Sequence, residues 1–191
     1  MKKIYWDSVE IDHTKFFFTV TEAGINFVSS PGKRLSEMFN FYPDIRYQVE
    51  FTYDEEKTAA YREQFEDYFA GKERHFDLPI DLTEAGTEFQ QLVWNTIAEI
   101  PYGETISYSD LAAKVGNRDA ARAVAHAVAL NPVLIMIPCH RIIKADGALG
   151  QYRGGEEQKA TLLELESRAP KKSFINKLPL PKLSQLGRPD L

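Results

Sequence analysis

The chain has one cysteine, Cys139, set between Pro138 and the basic pair His140-Arg141 in the stretch IPCHRIIKADGALGQYRGG, residues 137–155. A single cysteine is ordinarily a small buried hydrophobe. Here a run that leaves Asn131-Pro132, passes through VLIMI and breaks at Pro138 delivers the thiol to the mouth of a fold. His140 and Arg141 beside it favour a thiolate, lowering the pKa from about 8.5. Such a group can act as a nucleophile on an electrophilic carbon, or as half of a Cys-His hydrolase. A hydrolase dyad needs a direct hydrogen bond, and neighbours on an extended segment point to opposite faces, which disfavours it; a water between the two can relay the proton. Glu166, on the last predicted helix, is placed to hold the far side of the imidazole, the simpler alternative being a solvated carboxylate at a helix end.

Other reactive groupings are sparse. One cysteine cannot form an internal disulfide, and the four histidines (His13, His75, His126, His140) show no metal-ligand spacing, so no metal and no soluble cofactor are expected. A second signal lies upstream. Ser107 caps a helix through YSDLAAKV, Gly116 closes it, and Asn117 caps a further helix, RDAARAVAHAVAL, that stops at Asn131-Pro132. Helix, Gly-containing turn and Ala-rich helix outline a helix-turn-helix, although a plain antiparallel helix pair has the same outline. The second helix carries Ala120, Ala121, Ala123, Ala125, Ala127 and Ala129 and almost no side chains able to read base edges. It is suited to close approach to a groove without sequence discrimination.

The elements around these residues predict an α+β fold. KFFFTV and INFVSS, separated by TEAG, read as a β-hairpin. The stretch EEKTAAYREQFEDYFAGKE puts Tyr61, Phe65, Tyr68 and Phe69 on one helical face before Gly71. HFDLPIDLTEAG is an extended connection. Thr87 and Gln90 form a capping-box pattern ahead of Phe89, Val93 and Ile97. VLIMI reads as a short buried strand and EEQKATLLELE as a final amphipathic helix. The expected organisation is a small mixed α/β domain of sheet plus helix over 1–82, a mainly helical domain with the helix-turn-helix over 83–169, and a basic, Pro-broken tail over 170–191, extended or partly disordered.

Net charge is −5, and it is unevenly spread: residues 1–80 hold 10 Lys and Arg against 15 Asp and Glu, whereas residues 101–155 hold 6 against 4 and residues 167–191 hold 6 against 1. An anionic partner would therefore meet the second half. The opening MKKIYWD has no apolar run behind its lysines, and VLIMI and FFF are too short to cross a bilayer. Neither a signal peptide nor a membrane partner is expected, and the chain fits a reducing cytoplasm.

These residues carry a resemblance. PYGETISYSDLAAKVGNRDAARAVAHAVALNPVLIMIPCHRII, with GALGQYRGG behind it, resembles the methylated-DNA-protein-cysteine methyltransferases, the 6-O-alkylguanine-DNA alkyltransferase family, over roughly residues 87–166. The resemblance implies repair of double-stranded DNA by one irreversible alkyl transfer, from 6-O-alkylguanine and also 4-O-methylthymine, by a monomer acting at the nucleoid. It implies that Cys139 accepts the alkyl group, that His140 activates it through a water, and that Glu166 orients His140. Tyr108 would donate a proton toward the purine, Asn131 would brace the Cys turn, and Arg122 would enter the base stack in place of the flipped nucleotide. The implied DNA-facing set is Arg122, Ala121, Ala123, Ala125, Tyr108 and Arg141; Tyr152, Arg153 and Gly154 would line the pocket. Arg153 is a departure, a long cation where some relatives carry a small residue, which bears on the breadth of alkyl groups accepted. The zinc ligands of some members' N-terminal domains are absent from the sequence. A lesion-binding protein or helix-turn-helix regulator without catalysis stays open as the alternative, as does a cysteine hydrolase.

Overall fold

Asp12 and His13 both have positive φ, 48° and 62°, the backbone of a mirror-image two-residue turn that fits the twist of a hairpin. The turn joins β1 (Lys2–Ile11) to β2 (Thr14–Thr21) in an antiparallel ladder from Tyr5–Val20 to Ile11–Thr14. The structure, a computed structural model, describes residues 2–168; the expected tail at 170–191 lies outside the described residues. The predicted hairpin is present as β2 and β3 (Gly24–Val28). A short fourth strand, β4 (Val49–Tyr53), pairs parallel with β1, giving the sheet order β3-β2-β1-β4.

Helix α1 (Glu55–Phe69) crosses one face of this sheet. Asp54 caps it by accepting from Lys57 N, and Tyr61, Phe65 and Tyr68 are buried at the predicted spacing. Phe65 packs on Phe18 and Phe69 on Phe16, ring centres 5.7 and 5.8 Å apart. Asp7, buried mid-strand, accepts from Thr58 Oγ1 at 2.9 Å and from Arg62 Nη1 at 2.8 Å, so its charge is paired rather than stranded.

The connection after α1 is extended, as predicted, and is stitched to the sheet edge: Ile25 N donates to Pro79 O and Asp81 N to Ile25 O. Gly24 makes this approach, since a Cβ there would lie 2.4 Å from Pro79 O. The helical half begins with α2 (Glu88–Ala98), whose capping box between Thr87 and Gln90 is complete. β5 (Ile106–Ser107) leads directly into α3 (Tyr108–Lys114), capped by Ser107. A turn at Gly116 follows, then α4 (Ala121–Ala129). The continuous helix expected from residue 118 is instead a 3-10 turn at Arg118–Ala120 before α4, because the Asn117 side chain takes the Asp119 N–H and tightens the entry. Trp94, in the core, donates its indole N–H to Ala127 O at 2.8 Å and so ties α2 to α4. β6 (Ile142–Ile143) pairs parallel with β5, and α5 (Glu156–Arg168) closes the chain. One apolar cluster runs from the sheet through α1 into the helical half, the α+β arrangement predicted.

Candidate active site

The segment VLIMI is not a strand. Val133 and Leu134 make only isolated bridges, and the chain reverses at Ile135, whose φ is +75°. Met136 N bonds to Leu134 O, Ile137 N to Val133 O and Cys139 N to Ile137 O, so the backbone coils inward. Cys139–Arg141 then form a 3-10 turn. Asn131, at the end of α4, holds this coil from inside. Its Nδ2 donates to Ile137 O at 2.8 Å and to Cys139 Sγ at 3.1 Å, and its Oδ1 accepts from Val133 N at 2.9 Å. A buried amide engaged at both ends fixes one geometry.

Glu166 is 2% exposed, so the solvated helix-end alternative fails. Its carboxylate meets His140 Nε2 at 2.8 Å and accepts from Tyr68 OH at 2.6 Å, from Gly103 N at 3.1 Å and from Arg141 at 2.8 to 3.3 Å. Burial pushes this carboxyl up, but the hydrogen bonds and charges of His140 and Arg141 prevail and hold it well below the usual carboxylate range. An ionised carboxylate only accepts, so Nε2 of His140 carries the proton and Nδ1 is left as an acceptor. Nδ1 makes no hydrogen bond among the described residues. Burial also lowers the His140 pKa, overcoming the pull of Glu166, and keeps the ring neutral. The result is an oriented imidazole able to take a proton.

Arg141 departs from its expected DNA-facing role. It is 7% exposed, with its guanidinium committed to Glu166 and, through Nη1, to Ile100 O at 2.5 Å. Nor do His140 and Arg141 lower the thiol pKa. Burial raises Cys139 above its ordinary value; the opposing influences are the Asn131 hydrogen bond and the charges of Arg153 and Lys159. The resting group is therefore a thiol rather than the expected thiolate. Lys159 was missed in the sequence. It is fully buried on α5, donates to Ile142 O at 2.5 Å, and is pulled down to about 8 by burial. The signal was present: Lys159, Leu162 and Glu166 share one helical face, and all three are buried.

Cys139 opens onto a cleft of about 910 Å³ bordered by Tyr108, Ala125, Val128, Ala129 and Tyr152. Burial, with Cys139 nearby, raises the Tyr108 pKa, so its hydroxyl stays protonated; it donates to Gln151 O at 3.4 Å. Tyr152 is half-buried, with its hydroxyl buried and without a partner among the described residues. Arg122 and Ala123 are exposed on α4, and Ala121 and Ala125 half-buried; of the α4 alanines, Ala125 and Ala129 border the cleft. One expected pocket residue is placed differently. Gly154 does not border the cleft; it supports Tyr152, whose ring would lie 2.6 Å from a Cβ at that position. Arg153 reaches the border, but its guanidinium is bonded to Val28 O at 2.8 Å and Asn131 O at 3.0 Å. No three His, Cys, Asp or Glu side chains gather as a metal site among the described residues.

Comparison with known proteins agrees with this arrangement. Residues 88–168 match the family model described as 6-O-methylguanine DNA methyltransferase, DNA binding domain. The inducible methylated-DNA–protein-cysteine methyltransferase of Bacillus subtilis is 40% identical over 166 residues, which is 87% of this chain and 92% of that protein. The O6-methylguanine methyltransferase of Mycobacterium tuberculosis superposes with a TM-score of 0.72 at 35% identity, covering 88% of this chain and 96% of the other. A structure of the M. tuberculosis relative in complex with DNA gives 0.71 at 33% identity, covering 85% and 92%. With a buried, braced cysteine, a histidine–glutamate pair behind it and these relatives along nearly the whole chain, the protein belongs to the methylated-DNA–protein-cysteine methyltransferase family.

Proposed function

We propose that this protein repairs double-stranded DNA by moving the alkyl group of 6-O-alkylguanine, and of 4-O-methylthymine, onto Cys139, once per molecule. The observation that carries this reading is the position of the chain's one thiol: it borders a cleft, held by Asn131, beside the His140–Glu166 pair and under the alanine face of α4. A duplex hides the 6-O position, so the base must leave the stack, at a cost of a few kcal/mol. Arg122, exposed on α4, is long and flat enough to fill the gap among the bases.

Because burial keeps the thiol protonated at rest, the proton must leave as the reaction begins. His140 Nδ1 takes it through a water, and Glu166 holds the imidazolium. The sulfur attacks the alkyl carbon in line, an S–C bond forms, the C–O bond breaks, and its electron pair goes to the purine. Tyr108 gives the departing purine its proton, so one proton enters His140 and one leaves Tyr108. The thioether that remains is not reversed by thiol exchange, which makes the transfer single-turnover. We place the catalytic unit at residues 83–169, after the sheet-bearing part at 1–82, and propose that it acts as a monomer in the cytoplasm, at the nucleoid. Intact-protein mass spectrometry after mixing with a methylated duplex tests the assignment. One methyl added, mapped to Cys139 and abolished in Cys139→Ser, is expected; transfer that persists in Cys139→Ser overturns it.

A further inference from the structure

Arg153 sits where the sheet meets the active-site turn, and the proposed transfer gives it no role. Its Nη2 donates to Val28 O at 2.8 Å at the end of β3, to Asn131 O at 3.0 Å and to Pro132 O at 3.3 Å. Nη1 reaches Ser30 Oγ and lies 3.4 Å from Glu37 Oε2. Phe41 and Phe27 stack against the guanidinium at 4.6 and 5.6 Å. Glu37 is itself fixed, accepting from Ser30 N and Ser30 Oγ, both at 2.7 Å. The pair is largely buried, with side-chain exposures of 12% and 15%. A guanidinium with this many carbonyl partners is a clamp, and one of those carbonyls belongs to Asn131, whose side chain holds Cys139 Sγ.

We propose that the Glu37–Arg153 pair is a positioning device through which the N-terminal sheet sets the reactivity of Cys139. Arg153 acts in two ways. It fixes the Asn131 backbone, and its charge stabilises the sulfur as negative charge develops there; Glu37 tempers that charge. The other titratable groups that act on the sulfur or border its cleft are Lys159 and Glu156 on α5, Tyr108 on α3, Lys144 and Tyr152, with His140 next in the same turn and Glu166 behind it. None of them belongs to the sheet-bearing part, whose other contacts with the site are Tyr68 OH on Glu166 and Val28 N on Pro132 O; the Glu37–Arg153 pair adds to these a charge that acts on the sulfur.

The test rests on the methyl-transfer reading and separates the two ideas. Single-turnover rates of transfer from a methylated duplex are measured between pH 5.5 and 9.5 for wild type, Arg153→Ala, Arg153→Lys and Glu37→Gln, with melting temperatures to confirm folding. Arg153→Ala is expected to slow transfer at neutral pH at least about tenfold and to move the midpoint of the pH profile upward. Arg153→Lys, which keeps the charge but not the several carbonyl bonds, should slow transfer with a smaller midpoint shift. Glu37→Gln should move the midpoint downward, because the cation is no longer offset. A purely structural pair would slow every variant and move no midpoint, which would overturn the inference. If Arg153→Ala does not fold, Glu37→Gln decides, and an unmoved midpoint overturns the proposal. A wild-type protein that takes up no methyl group defeats the functional reading instead.

Discussion

Glu166 gathers donors from three separate parts of the chain, Tyr68 on α1, Gly103 before β5 and the His140-Arg141 pair, all onto one carboxylate of α5. This makes folding pH-dependent in a defined order. Burial holds His140 neutral, its folded pKa lying below the unfolded value of about 6.5. The unfolded chain therefore takes up that proton first, and stability present above about pH 6.5 is lost as pH falls below it. Glu166 is held far below its unfolded value of about 4.3, so its contribution persists above that pH and is lost on further acidification. Melting temperature should fall in two stages, with the first abolished in His140→Gln and the second in Glu166→Gln. A wild-type melting temperature that stays flat from pH 7 to pH 5 would rule out the first stage. At this scale Cys139 was legible in the sequence from its uniqueness and its Pro-Cys-His-Arg setting. Arg141 was misjudged because a basic residue beside a reactive cysteine looks solvent-facing when its partners are Ile100 and Glu166, remote in sequence.

Among the elements, those with local signatures were readable: the TEAG-linked hairpin, the Thr87–Gln90 capping box, the buried face of α1 and the Ser107 cap of α3. β1 was not, because buried Asp7 interrupts its apolar alternation, and the Thr58 and Arg62 of α1 that join Ser8 N in satisfying it are remote in sequence. VLIMI misled because five apolar residues carry no period that separates a strand from a coil. There Ile135 combines a positive φ with 2% exposure. Glycine would relieve backbone strain of about 1–3 kcal/mol, yet losing a buried isoleucine side chain costs about 2–5 kcal/mol. Ile135→Gly should therefore lower stability by about 1–2 kcal/mol in denaturant melts, and a more stable variant would mean that strain outweighs packing. On α4 the separation of roles is functional. Arg122→Ala should reduce the rate on methylated duplex by about 100-fold while leaving reaction with free 6-O-methylguanine base within about threefold, since a free base has no stack to leave. Equal losses on both would make Arg122 a structural residue.

Across the whole molecule, the thiol is both the reagent and part of the packing. Cys139 is 3% exposed and accepts from Asn131, so a methyl group must enter a close-packed turn, and overpacking of that kind costs about 1–3 kcal/mol. Methylated protein should melt lower than unreacted protein by several degrees; an equal or higher melting temperature would refute this. The strain would reach α4 through Asn131 and weaken the hold on repaired duplex. The seam between sheet and helices has a consequence in time as well. Val28 N, on the edge strand β3, finds its acceptor at Pro132 O, and Ile25 is bridged to Ile80 by the connection. During synthesis at about 5–20 residues per second, roughly a hundred residues separate the emergence of Val28 from that of Pro132, so the end of this edge waits some 5–20 s for its partner. A nascent chain in that interval presents an unpaired strand end to its neighbours on the same polysome, and ribosome-bound chaperones would find their target there, before the repair site exists.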